Sequence, residues 1–103
     1  LFQSQIFFML YNNKIILMDI NELIAIVKNK LETKIIIQDL KIEDKSFLHK
    51  KHKSHIEGKF HLKLIIKSKE LARSSKIAST KKIYNIIDLE LKEHIHSIQI
   101  LIN

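Results

Sequence analysis

Apolar side chains after Asp19 recur with the spacing of one face of an α-helix. These positions are Ile20, Leu23, Ile24, Val27 and Leu31. Asp19 can accept hydrogen bonds from the free N–H groups of a first turn, and Glu22, three residues later, completes the pattern of a capping box. The spacing therefore predicts a first helix that is capped by Asp19 and buries one side.

Two segments after this helix alternate between apolar and polar residues, which is the period of a β-strand. Residues 35–37 are all Ile, and Leu40 and Ile42 then alternate with charged residues as far as a turn or bulge at residues 43–46. The alternation between Phe60 and Lys67 is the clearest in the chain. Residues 47–58 have no period and contain three His, three Lys and the single Gly. The pattern predicts a hairpin whose two strands are joined by a basic surface loop.

The period changes again after Ser68, where we expect a short helical turn and then a longer helix. The apolar residues of one helical face are Ile77, Tyr84, Ile87 and Leu91, and the candidate capping residues are Ser74, Ser75 and Ser79. Residues 95–102 then alternate as a last strand, which places His96 on the same side as Ile98 and Ile100, toward the core.

The element order is helix, strand, strand, helix, helix, strand, which predicts an α+β fold. We expect a three-stranded mixed sheet with helices on one face. With 46% apolar residues the chain can bury one core, and we assign it to residues 18–103. Residues 1–17 are expected to be a poorly ordered N-terminal extension. Their apolar runs are too short to span a bilayer and do not resemble a secretory signal, so we expect neither a membrane partner nor secretion.

The chain has no Cys, so disulfides, thiolate nucleophiles and all-cysteine metal sites are excluded. No phosphate-binding Gly-rich loop, nucleophile elbow or carboxylate cluster is present, and the sequence predicts a protein that is not an enzyme. The candidate chemistry therefore rests on six histidines, because imidazole is a common metal ligand. They are His49, His52, His55, His61, His94 and His96.

These histidines differ in position. Three of them recur every three residues in the basic loop, and taken singly each is a solvated loop residue. His61 is on the polar side of its strand, as a structural or solvated residue. His94 and His96 have the spacing of a chelating pair if both lie in the last strand, but we expect His94 in the preceding turn and His96 half-buried at the start of the strand.

The net charge of +7 is concentrated between Lys41 and Lys82, a segment with 13 basic and four acidic residues. Such a surface permits binding to phosphate groups, and it is the basis of an alternative function as a nucleic-acid-binding regulator with DNA as partner. The candidate contact residues are Lys50, Lys51, Lys53, Lys76, Lys81 and Lys82. Few aromatic residues accompany them, and a solvated lysine-rich face explains the same pattern.

Several segments together resemble the BolA family of small proteins. Residues 42–46 are similar to its strand end before a variable loop, and residues 61–66 to its His-Phe-Lys-Val strand. Ser68 and Leu71 resemble its Ser-x-x-Phe, while residues 83–91 and 95–98 resemble its helix ending in Glu-Leu and its following Val/Ile-His-Ala-Leu. From His61 to Asn103 the resemblance needs no gap, and with the first helix it covers nearly everything after Met18.

The resemblance implies a fold related to the class II KH architecture, with the same element order. It also implies a monothiol glutaredoxin as partner and a 2Fe–2S cluster held only in the complex with glutaredoxin and glutathione, with none on the isolated chain. His96 would be one ligand. The second would come from the loop: counting forward from Ser46 favours His49, and counting back from His61 favours His52. Such a protein is an adaptor in cluster assembly, cluster transfer or iron regulation, in the cytoplasm or a mitochondrion, with a weak homodimer as a further expectation.

The chain departs from the family pattern where that pattern has a Gly and an Arg-His-Arg. Arg73 stands at the Gly position, and residues 79–81 stand at the Arg-His-Arg, where only Lys81 retains a charge. Gly58 is the single glycine, so the Gly-x-x-Gly clamp of KH modules is absent. These departures weaken the nucleic-acid alternative. A plain interaction domain that binds a partner without any cluster is the third hypothesis.

Overall fold

The computed structural model describes residues 18–46 and 59–103. Within them the chain forms four helices and three strands in the predicted α+β arrangement. In chain order these are α1 (Ile20–Lys34), β1 (Asp39–Asp44), β2 (Phe60–Lys67), α2 (Lys69–Ala72), α3 (Lys76–Ile86), α4 (Asp88–Glu93) and β3 (Ile95–Ile102). The predictions for residues 1–17 lie outside the described residues. None of the helices in the described ranges is long and apolar enough to cross a membrane.

Helix α1 begins after Asp19, as its apolar spacing predicts, and buries Leu23, Val27 and Leu31. The side chain of Asp19 makes no capping hydrogen bond. Its backbone carbonyl instead accepts the first helical bond from the N–H of Leu23, at 3.0 Å. The predicted helix is therefore confirmed, and the predicted side-chain cap is wrong.

The three isoleucines at residues 35–37 precede the first strand and do not begin it. Ile35 is buried and ends α1, since its N–H donates to the carbonyl of Leu31 over 2.9 Å. Ile36 is 71% exposed. The strand begins only at Asp39, where the backbone first pairs with Lys67. β-branched composition indicated a strand here, but the end of the helix keeps the segment out of the sheet.

The sheet has the order β1-β2-β3, with β1 antiparallel and β3 parallel to the central strand β2. This is the predicted three-stranded mixed sheet. Leu62 and Leu64 lie opposite Ile98 and Ile100, and the fully buried side chains of β2 join those of the helices in one core. Because the helices pack on this side, residues such as Lys63 and Gln99 lie on the opposite, open face of the sheet.

Serine side chains cap two of the three helices of the second half, α2 and α3. Ser68 accepts from the N–H of Leu71 at 3.2 Å, and Ser75 accepts from the N–H of Ala78 at 3.1 Å. Each serine thereby satisfies a backbone donor that the helix cannot pair internally. The predicted longer helix is divided at Ile87 into α3 and α4.

The buried face of α3 differs from the one that the apolar pattern predicts. Ile77 is 73% exposed and Tyr84 is exposed as well, while Ser79 and Ile83 are buried. Ser79 is not a cap: its hydroxyl donates to the carbonyl of Leu71 over 2.8 Å. This bond satisfies a polar side chain inside the protein, so the helix can turn a serine inward and leave an isoleucine outside.

Candidate functional site

A β-bulge at the start of β3 determines the position of His96. Phe60 pairs with Ile95, but the next residue, His61, pairs with Ser97. His96 is therefore the extra residue on β3, and a bulge of this kind redirects side chains away from the regular alternation. The side chain of His96 is exposed and does not lie on the core face with Ile98 and Ile100, so that prediction is wrong.

His61 lies beside this bulge and is almost fully buried, with 4% of its surface exposed. Its Nδ1 atom is 2.6 Å from the Oγ atom of Ser97, its partner in the strand register. Of the two readings that the sequence left open, structural or solvated, the burial supports the structural one. Strand alternation could not predict it, because His61 is on the side of the sheet that the helices leave open.

The rings of His61 and His96 are in direct contact. Their centroids are 5.0 Å apart and their planes meet at 66°, which is an edge-to-face arrangement. This is a separation and an angle that aromatic pairs favour. One exposed imidazole thus rests against a buried one where β2 and β3 begin.

The last described residues before the predicted loop, Lys45 and Ser46, bond to the same histidine. The N–H of Lys45 donates to the carbonyl of His61 over 2.7 Å, and the N–H of His61 donates to Oγ of Ser46 over 3.1 Å. Ser46 is itself buried, and its N–H donates to Oδ1 of Asp44 over 2.9 Å. Residue 47, where the histidine-rich segment starts, therefore follows directly on a residue bonded to His61.

All of the candidate site residues in the predicted loop lie outside the described part of the chain. These are His49, His52, His55, Lys50, Lys51 and Lys53. His94 is described and lies in the turn after α4, as the sequence predicts. It is half-buried, and its carbonyl accepts from the N–H of Phe60 over 2.9 Å. Within residues 18–46 and 59–103, no group of three or more His, Cys, Asp or Glu could hold a metal ion.

The open face of the sheet beside the two histidines carries both signs of charge. Lys45 and Lys41 lie 3.5 Å and 3.3 Å from the carboxylate of Glu43. The hydrogen bond from Lys41 and the charge of Lys45 hold the pKa of Glu43 below its ordinary value. A shallow groove of about 360 Å³ runs between Lys45 and Lys63 on one side and Ser97 and Gln99 on the other. The groove reaches His61.

The three described lysines of the nucleic-acid alternative lie on α3 and are exposed. Lys82 Nζ is 2.6 Å from the carboxylate of Glu70. With about 100° between successive residues of an α-helix, Lys76, Lys81 and Lys82 point in three different directions. They do not form a continuous basic stripe on this helix.

Comparison with known proteins adds the family to this geometry. The family model described as "BolA-like protein" matches residues 31–103. This chain belongs to the BolA-like family. The matched range contains β1 to β3, the histidine-rich loop, His61 and His96.

Solved structures agree with this assignment. The BolA domain of SufE1 from Arabidopsis thaliana is 28% identical, with a TM-score of 0.67 and coverage of 77% of this chain and 87% of that one. BolA1 from Arabidopsis thaliana is 23% identical, with a TM-score of 0.66 and the same two coverages. A bol-like protein from Babesia bovis is 18% identical, with a TM-score of 0.60 and coverage of 76% and 79%. At these lower identities the last two support the BolA-like fold alone. No curated protein sequence is similar enough to this chain to count as a match.

Proposed function

We propose that this BolA-like protein is an adaptor that binds a monothiol glutaredoxin and shares a 2Fe–2S cluster with it, in iron–sulfur cluster assembly, cluster transfer or iron regulation. In this proposal His96 is one cluster ligand and His52 or His49 is the other. The partner's thiolate and glutathione supply the remaining ligands. The protein itself catalyses no reaction.

The observation that carries the proposal is the exposed imidazole of His96, held on a bulge beside the start of the loop. Ser46 is bonded to His61, and the ring of His61 contacts His96. An extended chain advances at most about 3.5 Å per residue, so sequence separation keeps His49 within about 10 Å of Ser46 and His52 within about 21 Å. The length of the chain after Ser46 therefore permits either loop histidine to share a site with His96.

The donor set of this chain fits a shared site and excludes one built by the chain alone. A cluster iron needs four ligands, and the iron–sulfur clusters of proteins take most of theirs as thiolates. This chain has six histidines and no cysteine, so it can complete a cluster that a thiol-bearing partner already holds. When bound, such a cluster supplies one-electron chemistry or is itself the cargo, and imidazole ligands raise its reduction potential.

The ligand assignment can be tested by spectroscopy of the mixed complex. Cluster-loaded monothiol glutaredoxin is mixed with wild-type protein, His96→Ala or His94→Ala, reduced, and examined by pulsed electron paramagnetic resonance for coupling to imidazole nitrogen. We expect the coupling in the wild type and in His94→Ala, and its loss or reduction in His96→Ala. His94 is the matched control because it is a histidine two residues away, in the turn. An undiminished coupling in His96→Ala contradicts the assignment.

The loop ligand is decided by the same measurement on His49→Ala and His52→Ala. Only the variant that lacks the ligand should lose a second nitrogen coupling. If neither variant loses a nitrogen coupling, the loop supplies no ligand and His96 is the single ligand from this chain. Far-ultraviolet circular dichroism of each variant confirms that the fold is retained.

The nucleic-acid alternative remains a separate prediction that no contact among the described residues favours. It requires affinity for DNA or RNA that falls steeply as salt rises, in proportion to the phosphates neutralised. Binding of that kind, lost on replacing Lys81 and Lys82 but retained in His96→Ala, would favour it over the cluster. Equal binding of apo and cluster-loaded glutaredoxin would favour the plain interaction domain.

A further inference from the structure

His61 is a buried histidine that the proposed function does not use. Burial of a polar ring is unfavourable unless its polar atoms have partners. Here Nδ1 is 2.6 Å from Oγ of Ser97, an exposed residue of the neighbouring strand. A leucine would fill the space without that requirement, so the choice of an imidazole needs an explanation beyond packing.

The backbone of His61 is fixed on both sides. Its N–H donates to Ser46 and its carbonyl accepts from Lys45, while its own strand is the central one of the sheet. Together with the bond to Ser97, these contacts hold both the main chain and the ring plane. His61 is therefore a rigid surface for whatever side chain lies against it.

The side chain that lies against it is His96. The two rings meet edge to face, with centroids 5.0 Å apart. His96 is the extra residue of the bulge and is exposed, so the regular packing of the strand does not limit its rotation. The ring of His61 is a neighbour that favours one of its staggered rotamers over the others.

We propose that His61 is a positioning residue, whose ring, held by Ser97, keeps the imidazole of His96 in one rotamer. The purpose of this arrangement rests on the proposed function, because a metal ligand fixed in advance by its neighbours binds more tightly than one that must be ordered on binding. The positioning itself is a property of the isolated chain. Each can therefore fail without the other.

The test on the isolated protein measures the χ1 rotamers of His96 through three-bond NMR couplings. The variants are His61→Leu, which removes the ring; His61→Phe, which retains a ring of similar shape; and Ser97→Ala, which removes the partner of Nδ1. We expect one rotamer in the wild type and in His61→Phe, and averaging among rotamers in His61→Leu. Ser97→Ala should show partial averaging.

The test on the complex measures the affinity of each variant for cluster-loaded glutaredoxin. His61→Leu should bind about tenfold more weakly, the size of effect typical for the loss of a residue that orients a metal ligand. His61→Phe should recover most of that loss, and His94→Ala should bind like the wild type. A merely structural role for His61 would change the unfolding midpoint without changing the His96 rotamers.

A folded His61→Leu variant that retains a single His96 rotamer overturns the inference, as does rotamer averaging in the wild type. If His61→Leu does not fold, Ser97→Ala decides: an unchanged rotamer distribution contradicts the proposal, and averaging supports it. Failure of the wild type to form a mixed cluster overturns the proposed function alone, because the rotamer result is obtained without glutaredoxin.

Discussion

The hydroxyl of Ser46 accepts the backbone N–H of His61 over 3.1 Å, and this bond joins the last described residue before the loop to the central strand. Both residues are buried. Ser46, which precedes the segment that contains two of the candidate ligands, is therefore held against His61, and the ring of His61 contacts the third candidate, His96. A short series of contacts runs from Ser46 through His61 to His96.

Replacement of Ser46 by Ala should destabilise the protein. It leaves the buried N–H of His61 without its acceptor, which costs roughly 1–3 kcal/mol of unfolding free energy. Urea denaturation measures the change, and faster hydrogen exchange at the His61 amide locates it. Ser74→Ala is the control, since Ser74 is exposed and should change the stability by less than about 0.5 kcal/mol. Equal stability of the two variants would contradict the role of the Ser46 bond.

A second prediction concerns the ion pair between Lys30 and Glu90. Nζ of Lys30 is 2.6 Å from Oε2 of Glu90, and Glu90 is buried while Lys30 is partly exposed. Lys30→Met leaves a buried carboxylate unpaired and should cost on the order of 3 kcal/mol. The double variant with Glu90→Met should recover stability, because it removes the buried charge as well.

The matched control is the exposed pair of Lys92 and Asp88 on α4. Nζ of Lys92 is 2.9 Å from Oδ2 of Asp88. Lys92→Met should change the unfolding free energy by less than about 1 kcal/mol, because water screens an exposed pair. Thermal or urea unfolding measures both variants. A loss as large in Lys92→Met as in Lys30→Met would show that burial of Glu90 does not determine the effect.

Helix α3 offers a direct test of which of its faces is buried. Ile83 is fully buried and Ile77 is 73% exposed on the same helix. Ile83→Ala should therefore cost about 2–5 kcal/mol, since it leaves a cavity in the core. Ile77→Ala should be close to neutral. A larger loss of unfolding free energy in Ile77→Ala than in Ile83→Ala would show that Ile77 is buried, as the apolar pattern predicted.

These elements show what the sequence could predict. The order of helices and strands follows from apolar periods of 3.6 and 2 residues, and each period is a local property. The face of α3 depends instead on Ser79, whose burial is possible because its hydroxyl bonds to a carbonyl of another helix. The start of β1 depends on where α1 ends. The spacing of apolar residues carries no information about the Ser79 bond or about the end of α1.

The site was predictable only in part for the same reason. Resemblance to the BolA family indicated His96 and the loop, but alternation with Ile98 and Ile100 placed His96 on the core face. The single-residue bulge opposite Phe60 and His61 reverses that placement. A bulge adds one residue to a ladder without changing the apolar pattern after it. The contact between His61 and His96 follows from this bulge and had no signal in the sequence.

The carboxylate of Glu70 should make folding stability depend on pH in the acid range. A hydrogen bond from Lys82 and one from the N–H of Ile36 lower its pKa in the folded protein. The lowered pKa stabilises the folded state above the pKa of the unfolded chain, and this contribution is lost as pH falls through the folded pKa. NMR titration should find the pKa of Glu70 below the ordinary value of a glutamate side chain.

Glu70→Gln provides the corresponding stability measurement. Its unfolding midpoint should fall less on acidification than that of the wild type, because the variant has no proton to take up at this position. Lys82→Met should raise the pKa of Glu70, since it removes the hydrogen bond from Lys82, which is the largest cause of the lowering. A normal pKa for Glu70 in the wild type would contradict the ion pair.

The central claim is that this chain completes a cluster held by a monothiol glutaredoxin. The most direct measurement is a titration of the protein into cluster-loaded monothiol glutaredoxin, followed by visible circular dichroism, with apo glutaredoxin as control. We predict a new cluster spectrum that saturates at one equivalent and is absent with apo glutaredoxin. A visible spectrum that stays that of the glutaredoxin cluster throughout the titration would contradict the claim.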